Sequence, residues 1–154
     1  MNKIKNSNFK RLIGVWKTTG DIKSSLGDLK LIGIDNYEVI LDRHCILHRA
    51  DVKMGNESSE TFEIIKLDGS LNTAKMQYFN PKGEEDIMII SIINNEYKIE
   101  GVGLKFNGII NEENTKISGK WYTQIDHQEW TYFIDLNLEK QSNEKLERKW
   151  QQFP

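Results

Sequence analysis

The chain has 154 residues, enough for one domain that buries most of its unfolded surface without disulfides. Its 21 Lys and Arg and 23 Asp and Glu are interspersed and sum to −2, which excludes the concentrated basic stripe of a nucleic-acid binder. Cys45 is the only cysteine, so an intrachain disulfide and a cysteine-built metal cage are both excluded.

The opening Met1–Asn8 lacks the apolar core of a signal peptide, and the longest apolar run, Ile87–Ile93, is far short of the ~20 residues of a membrane span. The expectation is a cytoplasmic protein with no membrane or nucleic-acid partner. Asn6 or Ser7 is placed to cap a helical turn over Phe9–Ile13, ended by Gly14. Turn signals then recur at short intervals: Ser24–Asp28, Gly55–Ser59, Asp68–Ser70, Asn80–Gly83, Asn94–Asn95, Asn111–Asn114 and Asp126–His127. Asp-Gly and Pro-x-Gly steps supply the positive φ that hairpins need.

The segments between these turns are short, rich in β-branched and aromatic residues, and alternate with period two. Ala74, Met76 and Tyr78 oppose Lys75 and Gln77; Tyr97, Ile99 and Gly101 oppose Lys98 and Glu100; Ile117, Gly119 and Trp121 oppose Lys116, Ser118 and Lys120. Trp130, Tyr132, Ile134, Leu136 and Leu138 share one face of the last strand, with Phe133 out of phase. Eight to ten such strands without room for crossover helices predict an all-β antiparallel meander. Closing it into a barrel removes exposed edges; a two-sheet sandwich is the second architecture.

Two segments depart from this pattern. Ile87–Ile93 is apolar on both faces and its outer face calls for a cover. After it, residues 141–153 read as a helix capped by Ser142, with Leu146, Trp150 and Phe153 on one face. That helix, or a second protomer in a homodimer, would lie on the outer wall. The chain reads as one domain over residues 1–154, with the barrel at about 8–139.

Several pieces together resemble the lipocalin-like (calycin) barrels, and more narrowly the small lipocalin-like proteins of bacteria, a group without an agreed activity. They are Gly14-x-Trp16 with Lys17-Thr18-Thr19-Gly20, Asp35-Asn36-Tyr37-Glu38, Leu47–Gly55 and Ile117-Ser118-Gly119-Lys120-Trp121. The resemblance implies a barrel with an internal cavity.

The candidate ligand-binding residues are Trp16, His48, Met76, Tyr78, Tyr97, Phe106, Trp121 and Tyr132. Trp16 would close the barrel floor, with Gly14 allowing close backbone approach; stacking on a ligand from below is its other reading. His44 and His48 read as residues of one strand over Asp42–Val52, about 13 Å apart along it, so they cannot share a metal ion. With Arg49, Asp51 and Lys53 facing water, His48, Ala50 and Val52 point inward. An inward His48 is either a paired core histidine or a ligand contact that anchors a carboxylate or coordinates haem iron.

Tyr78, Tyr97 and Tyr132, with Trp121, Trp130, Met76 and Phe106, would line the inner wall. They suit a mostly apolar pocket or a barrel plugged by its own side chains. Gly-x-Ser-x-Gly and P-loop patterns are absent, and Glu60/Glu63, Glu84/Glu85/Asp86 and Glu112/Glu113 read as solvated turns and strand ends. No catalytic residue or metal ligand is assigned. Three functions stay open: a lumen binding a small apolar molecule without catalysis, a haem-binding or enzymatic barrel using His48 and lumen tyrosines, and a solid barrel acting as a dimer or interaction module.

Overall fold

A computed structural model describes residues 3–142. Ten strands form a closed antiparallel barrel: β1 (Gly14–Ile22), β2 (Leu29–Ile40), β3 (Cys45–Met54), β4 (Glu57–Leu67), β5 (Thr73–Phe79), β6 (Glu85–Ile93), β7 (Glu96–Gly101), β8 (Leu104–Ile110), β9 (Lys116–Thr123) and β10 (Thr131–Lys140). Each strand pairs with its neighbour in sequence. The ring closes between β1 and β10, from Trp16 opposite Lys140 to Ile22 opposite Ile134. Among the described residues no edge strand is left over. Beyond Ser142, the helix expected over residues 141–153 lies outside the described residues. Among the described residues no helix is long and apolar enough to cross a membrane.

The lower end of the barrel is sealed by the N-terminal segment. Two 3-10 turns, Ile4–Asn6 and Asn8–Leu12, are joined at Ser7, whose hydroxyl donates to the Ile4 carbonyl at 2.7 Å and accepts from the Phe9 N–H at 3.2 Å. Ser7, not Asn6, is therefore the cap. The turns bury Ile4, Phe9 and Leu12 against Trp16, whose indole N–H donates to the Leu12 carbonyl at 2.8 Å. Lys140 reaches in from β10 and sets its ammonium 4.8 Å from the Trp16 ring centroid, where the aromatic face is attractive to a cation. Arg11 pins the plug to two base loops through Asn114 Oδ1 (2.5 Å), the Asn94 carbonyl (2.6 Å), Asn95 Oδ1 (2.8 Å) and the Asn111 carbonyl (3.1 Å).

Gly14 serves this base through its backbone rather than through close approach. Its φ of 134° is one that side-chain-bearing residues avoid, whereas a Cβ there would meet only the Lys140 stem at an ordinary 3.4 Å. Close approach is the role of Gly33 on β2, where an added Cβ would strike the Asp51 carbonyl and lie 2.6 Å from Val52 Cα.

Alternation sorts most strands as read. Ala74, Met76, Tyr97, Ile99, Phe106 and Ile117 are all buried, while their sequence neighbours on the other face are more open. Two positions are corrected. The β9–β10 register shifts between Tyr132 and Ile134, a bulge at Phe133. A bulge adds one residue to one strand and so reverses its in–out phase. Phe133 and Ile134 consequently both line the lumen. Tyr132 belongs to the outer wall, 4.3 Å below the Lys120 ammonium, and Trp130 precedes the strand with Lys105 at 4.3 Å. The strand read over Asp42–Val52 starts only at Cys45, because Leu41, Asp42 and Arg43 form a left-handed turn with φ of 53°, 50° and 69°. On β6, Met88, Ile90 and Ile92 face the core, while Ile87, Ile89 and Ile93 are exposed among the described residues.

Candidate functional site

The lumen is filled below and open above. Ile46, Ile65, Ala74, Met76, Ile90, Ile92 and Ile110 pack over Trp16 and the N-terminal plug with no exposed surface. Above them lies a cavity of about 450 Å³, within the ~300–1,000 Å³ common for small-molecule sites. Its walls are mostly apolar: Leu31, Val52, Met54, Met88, Ile99, Leu104, Phe106, Ile117, Trp121 and Leu136 are among them. Glu84, Glu85 and Asp86, which are exposed, line its mouth.

Two inward glycines shape one wall. Gly108 and Gly119 sit opposite each other on β8 and β9, and the Phe106 ring lies across both. A Cβ on Gly119 would come 2.5 Å from the edge of that ring. The glycines therefore let Phe106 lie back against the sheet instead of filling the lumen. Phe106 in turn packs at 5.3 Å on Trp121 and edge-on at 5.5 Å to Tyr97.

One polar layer crosses the cavity. The registers of β2 to β6 place Tyr37, His48, Glu63, Tyr78 and Asp86 side by side in a single row. Within it His48 is held at both ring nitrogens, Nδ1 2.8 Å from Glu63 Oε2 and Nε2 2.6 Å from Asp35 Oδ1. The imidazole stacks on Tyr37 with centroids 3.9 Å apart and planes 7° from parallel. Thr18 donates its hydroxyl to Asp35 Oδ2. The Tyr37 hydroxyl meets that of Tyr97 at 3.2 Å. Asp35 and His48 are 7% exposed and Glu63 8%, so this is a buried ionic group.

Burial by itself would lower the His48 pKa. The Glu63 charge and the hydrogen bonds to Asp35 and Glu63 outweigh it and raise the value from 6.5 to about 10. His48 is thus an imidazolium at neutral pH, donating from both nitrogens. It has no lone pair free to take a proton or to ligate iron. Burial also raises the Tyr37 and Tyr97 pKa values, which keeps both as neutral hydroxyls.

The sign of the pH dependence follows. The folded chain holds a proton on His48 between pH 6.5 and about 10 that the unfolded chain gives up, so His48's contribution is complete below pH 6.5 and lost as pH rises toward 10. The urea midpoint should fall across that interval, and nitrogen NMR at pH 8 should show His48 protonated at both ring positions. A neutral His48 ring at pH 8 would contradict the assignment.

Of the residues expected from the sequence, His48, Tyr78, Tyr97, Phe106 and Trp121 line the cavity. Trp16 and Met76 lie in the packed layer beneath it, and Tyr132 is outside. Asp35, Tyr37 and Thr18 join the site without any sequence signal for a ligand role. Glu63 is corrected from a solvated strand end to His48's partner, whereas Glu84, Glu85 and Asp86 are exposed as expected and also line the mouth. In the folded strands Asp35 shares a face with Leu31 and Tyr37, and Glu63 with Ile65, phases that the hydrophobic pattern alone does not assign. Among the described residues no group of three or more His, Cys, Asp or Glu is placed to hold a metal ion.

No protein-family model matches the sequence, and no curated protein does. Two of the solved structures similar to this chain are the following. Rv2717c from M. tuberculosis is similar with a TM-score of 0.69 at 10% identity, over 86% of this chain and 94% of its own. The S-type phycobiliprotein lyase CPES from Guillardia theta is similar with a TM-score of 0.51 at 8% identity, over 92% of this chain and 94% of its own. At these identities the likeness establishes the fold alone, a closed ten-strand antiparallel barrel.

Proposed function

We propose that this barrel binds a small, largely apolar molecule in the upper half of its lumen and performs no chemistry on it. The observation that carries this reading is the cavity itself: about 450 Å³ of unfilled space above a fully packed floor. Interiors are normally close-packed, and space of this size surrounded by apolar walls and one ordered polar layer suits an occupant. The two inward glycines under Phe106 support it, since larger residues there would push the ring into the lumen. That a barrel of this shape serves as a phycobiliprotein lyase is compatible with a small-molecule role for the fold. The haem or enzymatic alternative draws no support from His48, whose nitrogens are both engaged.

Native mass spectrometry of freshly purified protein tests the reading together with uptake of an environment-sensitive apolar fluorophore. A small-molecule adduct, or saturable one-to-one uptake that quenches Trp121, is expected. A folded chain that carries no adduct and takes up no apolar probe of any charge would reject it.

A further inference from the structure

We infer that the lumen selects an apolar molecule with a cationic head, an ammonium or amidinium type, and discriminates against carboxylates; this rests on the binding role proposed above. Among the described residues the charged side chains lining the cavity are Asp35, His48, Glu63, Glu84, Glu85 and Asp86, with neither lysine nor arginine. Five acids therefore face one imidazolium. That imidazolium is already committed, since each ring nitrogen is bonded to a carboxylate. The buried group of Asp35, His48 and Glu63 keeps one surplus negative charge.

The geometry locates the surplus. Asp35 is satisfied at both oxygens, by His48 and by Thr18. Glu63 is bonded only through Oε2, and its Oε1 has no hydrogen-bond partner among the described residues although the side chain is nearly buried. An unpaired carboxylate oxygen on a residue that lines the cavity favours a donor that arrives with a ligand. The next residues in the same row are Tyr78, a ring that can face a cation, and then Asp86 at the mouth. A cation entering past Glu84, Glu85 and Asp86 thus meets negative charge along its route and an unpaired acceptor at its end. Apolar walls strengthen that field. A fatty-acid carboxylate would meet the same acids with no free cation among the described lining residues to receive it.

The test is calorimetry at pH 7.4 with three ligands sharing one chain: decylammonium, 1-decanol and decanoate, each below its micelle concentration. Decylammonium is expected to bind at least about tenfold more tightly than decanol, the scale of one charge-assisted hydrogen bond, and decanoate more weakly than either. Glu63→Gln, verified as folded by circular dichroism, should remove most of the advantage, and the mouth variant Glu84→Gln should remove less. Equal binding of all three, or tighter binding of decanoate, overturns the charge selectivity while leaving the binding role standing. A preference undiminished in Glu63→Gln places the attraction on the outer surface and overturns the site. If none of the three binds to the folded protein, and apolar probes fail as well, both readings fall together.

Discussion

Replacing His48 with Leu should destabilise the protein by roughly 3–5 kcal/mol, the range for removing one partner of a buried ion pair. Asp35 and Glu63 approach the ring within 2.8 Å from opposite sides and are both nearly inaccessible to water. Without the imidazolium, two carboxylates remain in the same apolar lumen with no countercharge, and Tyr37 loses its stacking partner. For a chain of this size the melting temperature should drop by on the order of 10 °C. Removing the charges as well, in His48→Leu/Asp35→Asn/Glu63→Gln, should restore much of the loss, because the penalty comes from the stranded charges more than from the missing contacts. Calorimetric melting of the single and combined variants decides it. A His48→Leu protein that melts with its parent would show that the group is not ionised as described.

Trp16→Ala should rank beside it, at about 3–5 kcal/mol, but by a different mechanism. The indole is fully buried between the N-terminal turns and the isoleucine layer that floors the cavity. Truncation leaves a void, deprives the Leu12 carbonyl of the indole donor and takes away the ring beneath Lys140. Ile4, Phe9 and Leu12 then lose the surface on which they pack, so the whole plug should loosen. Hydrogen exchange over residues 4–13 should accelerate in the variant. Trp16→Phe should be milder, keeping most of the volume and losing the hydrogen bond. Ligand affinity in Trp16→Phe should match the parent, since Trp16 does not line the cavity. A large change in affinity without a change in stability would return Trp16 to the binding site.

The contrast between these two residues shows how differently the chain discloses its parts. Trp16 is flanked by Gly14 and stands at the head of the first alternating run, so a packing role was visible locally. His48 was placed inside by the phase of Arg49, Asp51 and Lys53. Its partners were not, because alternation misleads on β2: Ile32 and Ile34 sit on the outer face, Ile32 at 53% exposure, while Asp35 points inward with Leu31 and Tyr37. A hydrophobicity pattern would turn that strand over. Glu63 was obscured in a similar way, lying between Phe62 and Ile64 on one phase and Ile65 on the other. On β10 the extra residue at Phe133 moved Tyr132 from the expected inner wall to the outer one.

The amino-acid order by itself pointed to a meander of short antiparallel strands, with a closed barrel set ahead of a two-sheet sandwich, to Trp16 at its floor and to the inward direction of most side chains. Those features follow from local rules: turn residues set the hairpins, and a two-residue period sets the faces. Tertiary structure alone decided where the lumen is packed and where it is open, and which acids share the inside with His48. Charge burial depends on countercharges delivered by other strands, and those come within hydrogen-bonding distance only once the registers of β2, β3 and β4 are aligned. No local pattern carries that information, because an inward carboxylate is unfavourable until its partner is in place.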